Sequence, residues 1–564
     1  MAFSRERVRD VVRVGDKSFS DRYPIMSLWQ TEAENFHVMR ADFTRQRYMS
    51  EEFGSYLMTG RPARCHRDLS DAFSAMLRRD QWFHAATDNE LVNEDRDAKI
   101  WLDRASKHMR KLMYDRRAGF VRAAKTTDKD FTAFGNGVIT RDVVNYSHLL
   151  YRNWHLRDVA WEEGCTGDIN LVNFNWKPQA RQLVEQFKDS KTGSIAPAVT
   201  NLVDGTEKAF TQIQCRRIIL AADQYDLPIQ QTRGRPWVSV YVDIENETIL
   251  EEVALRTWPC TIPRWEFGAT MYGKQYGYSP AVVYATPDGR MMQQIMLSML
   301  EASEKATNPP MIAVGEAING AVNVYASGIT QVDADYDERT GDVLRPMTLQ
   351  LDGIKFGAEQ LKELGVDLQD AFYLSKIRFP EITKEMTAFE ASKLWDEFIR
   401  QSLPLWEPVQ AEYNEALCDT TFEDLLNHGA FGAAQDMPQI LRGRDITWTF
   451  DTPITVAVDK ALTASYQTML QMITEGAQVD PKVALIANVP LAARKASEGA
   501  GVESEWLRSE DEFNQLVAQQ AQQEQAAAQA NQVAHGADVA TRVANAAQSA
   551  GDAAQSLQQA GVGR

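Results

Sequence analysis

Thr286-Pro287-Asp288-Gly289-Arg290-Met291-Met292-Gln293-Gln294-Ile295-Met296-Leu297-Ser298-Met299-Leu300 opens the stretch that decides the fold. Thr286 suits an N-cap and Pro287 the first helical position, where a missing N–H costs nothing. Met292, Ile295, Met296, Met299 and Leu300 recur at helical spacing, which predicts a helix over 288–306 with one apolar stripe. Asn308-Pro309-Pro310 ends it. Gly315, Gly320, Gly328 and Gly341 then punctuate β-prone pieces such as Val322-Asn323-Val324-Tyr325, so strands and turns are expected to project from the helix end. Leu361, Leu364, Leu368 and Phe372 restore the helical period. Two helices therefore flank an excursion, and the order of parts describes a hairpin with a tip.

Downstream, the run from Lys376 to Lys384 interrupts the period with Pro380 and alternates apolar and basic residues, so it reads as a loop. Thr387-Ala388-Phe389-Glu390 fits a capping box, with the hydroxyl bonded to the N3 amide and the carboxylate bonded back to the cap amide. Apolar residues from Ala391 through Tyr413 predict a long helix running to about Leu417. Pro404 and Pro408 lie inside it, and at ~3 kcal/mol each they predict a kink near Leu403.

Outward from this core of the argument, residues 20–120 read as mainly helical. Trp29, Phe36, Leu69, Phe73, Met76, Leu77, Trp82 and Phe83 supply their buried stripes. β signals begin near 130, and Trp161 to Asp168 holds enough Gly and Asp to turn a hairpin. Val238, Val240, Val242 and Ile244 alternate with polar partners as in a half-buried strand, and Glu245-Asn246-Glu247 turns it into Ile249–Leu255. The N-terminal Arg5, Arg7, Arg9 and Arg13 alternate with Glu6 and Asp10 and read as an exposed mixed face. From Ala518 onward Ala and Gln dominate while large apolar residues nearly vanish. That tail is either a helix held by neighbouring copies or a frayed end. The fold class expected is α+β, predominantly helical.

Composition narrows the function classes. The chain has 564 residues and a formal net charge of −18. A protein that grips DNA is usually basic, so that acidity argues against a sequence-specific DNA binder, and it fits ordinary soluble proteins as well as a conduit past which a polyanion slides. Five scattered cysteines (Cys65, Cys165, Cys215, Cys260, Cys418) form no C-x-x-C pair and read as buried free thiols. No run of 18 uncharged apolar residues predicts a membrane span, and the N-terminus lacks the apolar core of a signal peptide. Gly268 to Lys274 approaches a phosphate loop, but Gln275 stands where a Ser or Thr should meet magnesium. Asp333, Asp335 and Asp337 start like a calcium loop, yet Glu338 replaces its glycine and Leu344 its terminal glutamate. A solvated acidic turn, or a loosely held divalent ion, is what remains there. The histidines show no H-E-x-x-H spacing, and no nucleophile elbow exists. No catalytic residue, metal or cofactor is expected.

These parts resemble the portal, or head-to-tail connector, proteins of short-tailed double-stranded DNA bacteriophages. The residues that carry the resemblance include Trp82-Phe83, Asp130-Phe131, Phe134-Gly135-Asn136-Gly137, the hairpin from Trp161 to Leu171, and Tyr276-Gly277-Tyr278-Ser279-Pro280. Pro287-Asp288, Asn308-Pro309-Pro310, Met386 to Glu390, Leu441-Arg442-Gly443 and Thr452-Pro453-Ile454 complete it, so it spans most of residues 20–510. No single motif is specific, but their order is. The resemblance implies a portal fold assembled as a ring, usually of about twelve copies. It places a wing over 1–287 and 387–450, stem helices over 288–306 and 353–374, a clip over 307–352 and a tunnel loop over 375–386. A helical crown would occupy 451–517 and an Ala/Gln-rich tail or barrel helix 518–564.

Lys376, Arg378 and Lys384 would then face DNA in the channel, steadying phosphates by weak contacts. The other reading is that they are solvated loop charges. The implied partners are further copies of the chain, double-stranded DNA, the terminase large subunit, major capsid and scaffolding proteins, and an adaptor or tail, with no membrane. The implied place is the virion, at the capsid vertex, after assembly in the host cytoplasm. Two other classes stay open at this stage: a non-enzymatic virion or scaffold component without a channel, and a DNA-acting ATPase or nuclease.

Overall fold

The computed structural model describes residues 5–313, 344–377 and 409–451 apart from short stretches, and scattered positions within 314–343 and 393–405. Beyond 451 it describes chiefly 466–476, 488–499, 512–525 and 541–551. The chain forms two compact units, one of residues 1–90 and 101–458, the other of 91–100 and 459–564.

In the first unit a 31-residue helix, Arg5–Asn35, buries Val8, Val11, Met26, Trp29 and Ala33 along one side. Helices Arg61–Leu77 and Phe120–Phe134 pack together, with the Phe73 and Phe131 rings 6.0 Å apart. All eight large residues expected to form helical core stripes between 20 and 120 are buried.

Strand β1 (Phe83–Thr87) waits for a partner from the far end of the chain. Next come β2 (Ile139–Val144) and β3 (His148–Asn153), an antiparallel pair. A five-stranded antiparallel meander follows: β4 (Val159–Glu163), β5 (Ile169–Trp176), β6 (Cys215–Ala221), β7 (Trp237–Asp243) and β8 (Thr248–Leu255). The β4–β5 hairpin turns where Gly164 to Asp168 predict, with Gly167 at φ 91°. A short β9 (Cys260–Thr261) joins the free edge of β2. The β7–β8 turn also falls where expected, with Glu247 at φ 50°.

β7 is covered on both faces rather than half-buried. Val238, Val240 and Val242 pack with Ile218, Leu220, Val8 and Val11 on one side. On the other, Tyr241 meets the helices Ala180–Phe187 and Pro197–Val203.

β6 shows how charges enter that interior. Arg216 reaches the N-terminal helix, donating to the Val12 carbonyl at 2.8 Å and to Asp16 at 2.9 Å. Its side chain lies where a Cβ on Gly15 would sit, so the crossing requires glycine. Arg217 pairs with Asp142 at 3.1 Å and covers the Tyr241 ring. At the N-terminus Arg9, Asp10 and Arg13 are exposed, as a mixed face should be. Arg9 binds Glu247 at 3.1 Å and Arg7 lies over Tyr225, while Arg13 meets only the nearby Asp10 among the pairs described.

The excursion after residue 307 is closed at its base by a ribbon of β10 (Met311–Ala313) and β11 (Leu344–Pro346). Val322 is described without regular structure, and Asn323 to Tyr325 lie outside the described residues, as do the capping box at 387–390 and both Pro404 and Pro408. The long helix does not stop at Leu417. A π-helical turn over Gln410–Glu415 continues as an α-helix to Asn427, because Leu417, Cys418, Thr421, Phe422 and Leu425 extend the buried stripe. Beyond it β12 (Ile446–Phe450) pairs antiparallel with β1, and Phe83 meets Trp448 edge-on at 5.4 Å. Four cysteines are buried free thiols as expected. Cys165 is exposed, since it rides the β4–β5 turn.

In the second unit, Val489–Gly499 is helical, and Arg96 pairs with Glu512 at 2.7 Å. Residues 512–525 and 541–551 form helices whose described side chains are exposed.

Candidate functional site: the helix pair and its root

Helix Thr286–Thr307 and helix Asp352–Ala371 run antiparallel. Gly357, early in the second, lets Met299, late in the first, approach to 3.1 Å from where a Cβ would stand. At the opposite end both helices converge on Phe36. Gly289 of the first would place a Cβ 3.2 Å from that ring, and Phe372, just beyond the second, meets it edge-on at 5.3 Å. Leu368 and Phe372 are fully buried there. The predicted stripe is therefore real, and its strongest burial lies at the root.

Polar staples hold the same end. Gln293 accepts from the backbone N–H groups of Met58 (2.8 Å) and Thr59 (2.9 Å) and donates to the Thr59 carbonyl (2.8 Å). The Arg61 guanidinium lies against Gly365, where any side chain would collide with it. The first helix also begins differently from expectation. A π-helical turn, Ala281–Ala285, runs directly into it, so Thr286 has no free helix end to cap. Its hydroxyl lies instead 2.7 Å from both carboxyl oxygens of Glu32 and 2.8 Å from the Ala281 carbonyl.

Behind the root, two of the quoted motifs lock into each other. Gly135 has φ 74° and would place a Cβ 2.4 Å from the Tyr278 backbone, so both its conformation and its contact exclude a side chain. Asn136 donates to the Gly277 carbonyl at 2.7 Å and accepts from the Gly277 N–H at 2.8 Å. Ser279 donates to the Ala133 carbonyl at 2.6 Å, and Tyr276 packs between Trp29 and Trp161.

Buried charges brace this region. Arg78 grips Asp128 at 2.7 Å and covers the Tyr413 ring at 4.3 Å. Burial alone would lower the Arg78 pKa, but the Asp128 charge raises it. Arg40 donates twice to Asp130 at 3.0 Å. Burial there works to raise the carboxyl, and Arg40 with His37 outweighs it, so Asp130 stays below the ordinary range. Burial, with His37 beside it, depresses His66 to about 3, so the pair of rings 5.2 Å apart is held neutral. Burial raises Glu32 to about 7 against the opposing pull of Thr286 and Arg290.

The three cations singled out from sequence are not brought together among the described residues. Lys376 is exposed and belongs to a helical turn, Leu374–Ile377, rather than to a loop. Its ammonium lies 5.3 Å from the Tyr373 ring centre. Tyr373 at φ 55° breaks the preceding helix and restarts this turn. Arg378 and Lys384 lie outside the described residues, as do Gly268–Lys274 and Asp333, Asp335 and Asp337. Among the described residues no cluster of His, Cys, Asp or Glu is placed to hold a metal, and no helix is long and apolar enough to cross a membrane.

Away from the root the pair changes character. Leu300 is 50% and Phe356 62% exposed, and Met311, Ile312 and Met347 at the ribbon are exposed as well. The two helices together carry eight acidic and four basic side chains, so this surface does not attract phosphate strongly.

A family model for the bacteriophage head to tail connecting protein matches residues 15–507. The portal protein of Salmonella phage epsilon15 is 20% identical over 456 residues, covering 79% of this chain and 78% of its own length. Among solved structures, a chain in the neck of an empty GTA particle is 11% identical, with 72% of this chain and 86% of that one covered, at a TM-score of 0.33. One from the virion of a native gene transfer agent particle is 10% identical, covering 77% and 94%, at 0.34.

Proposed function

Because this chain belongs to the bacteriophage head to tail connecting protein family, we propose that its copies close into a ring at one capsid vertex through which double-stranded DNA is packaged, retained and later ejected. As a member it is a structural protein of the phage portal or connector kind. The ring, its count of about twelve, and its partners are the proposal.

The observation that carries it is the uneven helix pair. One end is stapled to the chain's own body, while Leu300, Phe356 and Val366 along its length are at least half exposed. Neighbouring copies would cover them, each square ångström of apolar surface removed from water contributing about 25 cal/mol. On this reading the two helices are the stem, the ribbon-closed excursion is the clip that meets the terminase and then the adaptor or tail, and the α+β body is the wing. Residues 451–517 would form the crown, and assembly would begin in the host cytoplasm beside capsid and scaffolding proteins.

The chain supplies no engine of its own in this scheme. The terminase hydrolyses ATP, and the acidic stem lets the duplex slide. Lys376, Arg378 and Lys384 would touch passing phosphates. Replacing all three with Ala should leave rings intact while packaged DNA is retained less well; loss of ring formation would instead mark the segment as structural. An ATPase assay on protein free of terminase should show no turnover, and robust hydrolysis would contradict the assignment.

A further inference from the structure

We propose that Glu32 is carried as a neutral carboxylic acid that latches the π turn at the root of the helix pair, and that ionising it loosens this turn. The Thr286 hydroxyl has one hydrogen, yet three acceptor oxygens crowd it: both oxygens of Glu32 at 2.7 Å and the Ala281 carbonyl at 2.8 Å. If Glu32 is a carboxylate, the hydroxyl can donate to Glu32 or to Ala281, and the other contact is two oxygens at hydrogen-bond distance with nothing between them. One proton on Glu32 resolves this. One Glu32 oxygen then donates to the Thr286 oxygen and Thr286 donates to the Ala281 carbonyl, so both the Glu32 and the Ala281 sides are bridged and only the second, geminal Glu32 oxygen lies beside the hydroxyl without a hydrogen between them.

The surroundings favour that form. Glu32 is fully buried. Arg290, on the first paired helix, is the charge that faces it and favours the ionised form, but burial outweighs it and raises the group to about 7. The carbonyl that receives the chain also accepts the Thr286 N–H, the bond that closes the π turn Ala281–Ala285. The latch therefore sits where the direction of the first paired helix is set, and π turns within helices are common at sites of function.

The sign of the pH effect follows. The folded-state value lies above the unfolded one, so this contribution is full below about 4.5 and is lost as pH rises through about 7. In the full-length protein, infrared spectra of wild type minus Glu32→Gln should contain a protonated-carboxyl band at pH 5 that is half lost near pH 7. Amide exchange over Val282–Gly289, corrected for its chemical rate, should accelerate through the same range. Glu32→Gln, a neutral donor of similar length, should remove both the acceleration and the matching part of the decline in melting temperature. A carboxyl band that disappears near pH 4.5, or an unchanged pH slope in the Gln variant, would overturn the proposal. If that variant does not fold, wild-type exchange decides alone: constant protection from pH 5 to 9 rules the latch out.

Discussion

The root and the outer half of the helix pair are built from the same residue types by opposite rules. At the root the side chains that set the packing find partners within the chain: Gly289 and Phe372 against Phe36, Gln293 against Thr59, Glu32 against Thr286. In the outer half, Leu300 and Phe356 lie largely open. An apolar period at helical spacing says that a face will be buried; it does not say by whom. Here the chain answers for one end and leaves the other exposed, the end that the proposed ring would cover with further copies.

Substitutions can break that contrast. The largest effect is expected at Phe372, which is fully buried. Phe372→Ala should cost about 3–5 kcal/mol in the folding free energy of the single chain, read by denaturant unfolding. Breaking the buried ion pair behind the root with Asp128→Ala should cost a similar ~3–5 kcal/mol, because the Arg78 charge is left without its partner. Gln293→Ala deprives two backbone N–H groups and one carbonyl of their partner and should cost about 1–3 kcal/mol. Phe356→Ser, in the outer half, should change single-chain stability by no more than about 0.5 kcal/mol while weakening assembly, read by sedimentation. Equal folding costs for Phe372→Ala and Phe356→Ser would erase the distinction between the two halves.

How far the sequence disclosed this arrangement follows from what each signal measures. Local pattern disclosed the two helices, their antiparallel return after Asn308-Pro309-Pro310, the β4–β5 and β7–β8 hairpins and eight of the large core residues between 20 and 120, but not Phe43, Leu102, Met109 or Met113. It could not give the Glu32–Thr286 contact or the Gln293 staple, which join residues more than 230 positions apart. Thr286 looked like a cap because capping is a local property, and only the π turn before it shows that the hydroxyl is needed elsewhere. β6 went unnoticed because Arg216 and Arg217 disguise a buried strand. Their charges are satisfied by Asp16 and Asp142, which no local pattern announces. The long helix runs ten residues past Leu417, because Thr421 is polar yet buried among its apolar neighbours and hides the continuing period. The glycines at 135 and 277 were visible as motif letters. Their reason, two backbones pressed together, is visible only in three dimensions.

The most direct test is electron microscopy of the purified full-length protein. The account predicts closed rings of about twelve copies with an axial opening wide enough for a duplex. A protein that stays monomeric at every concentration, alone and alongside its capsid partners, would contradict it.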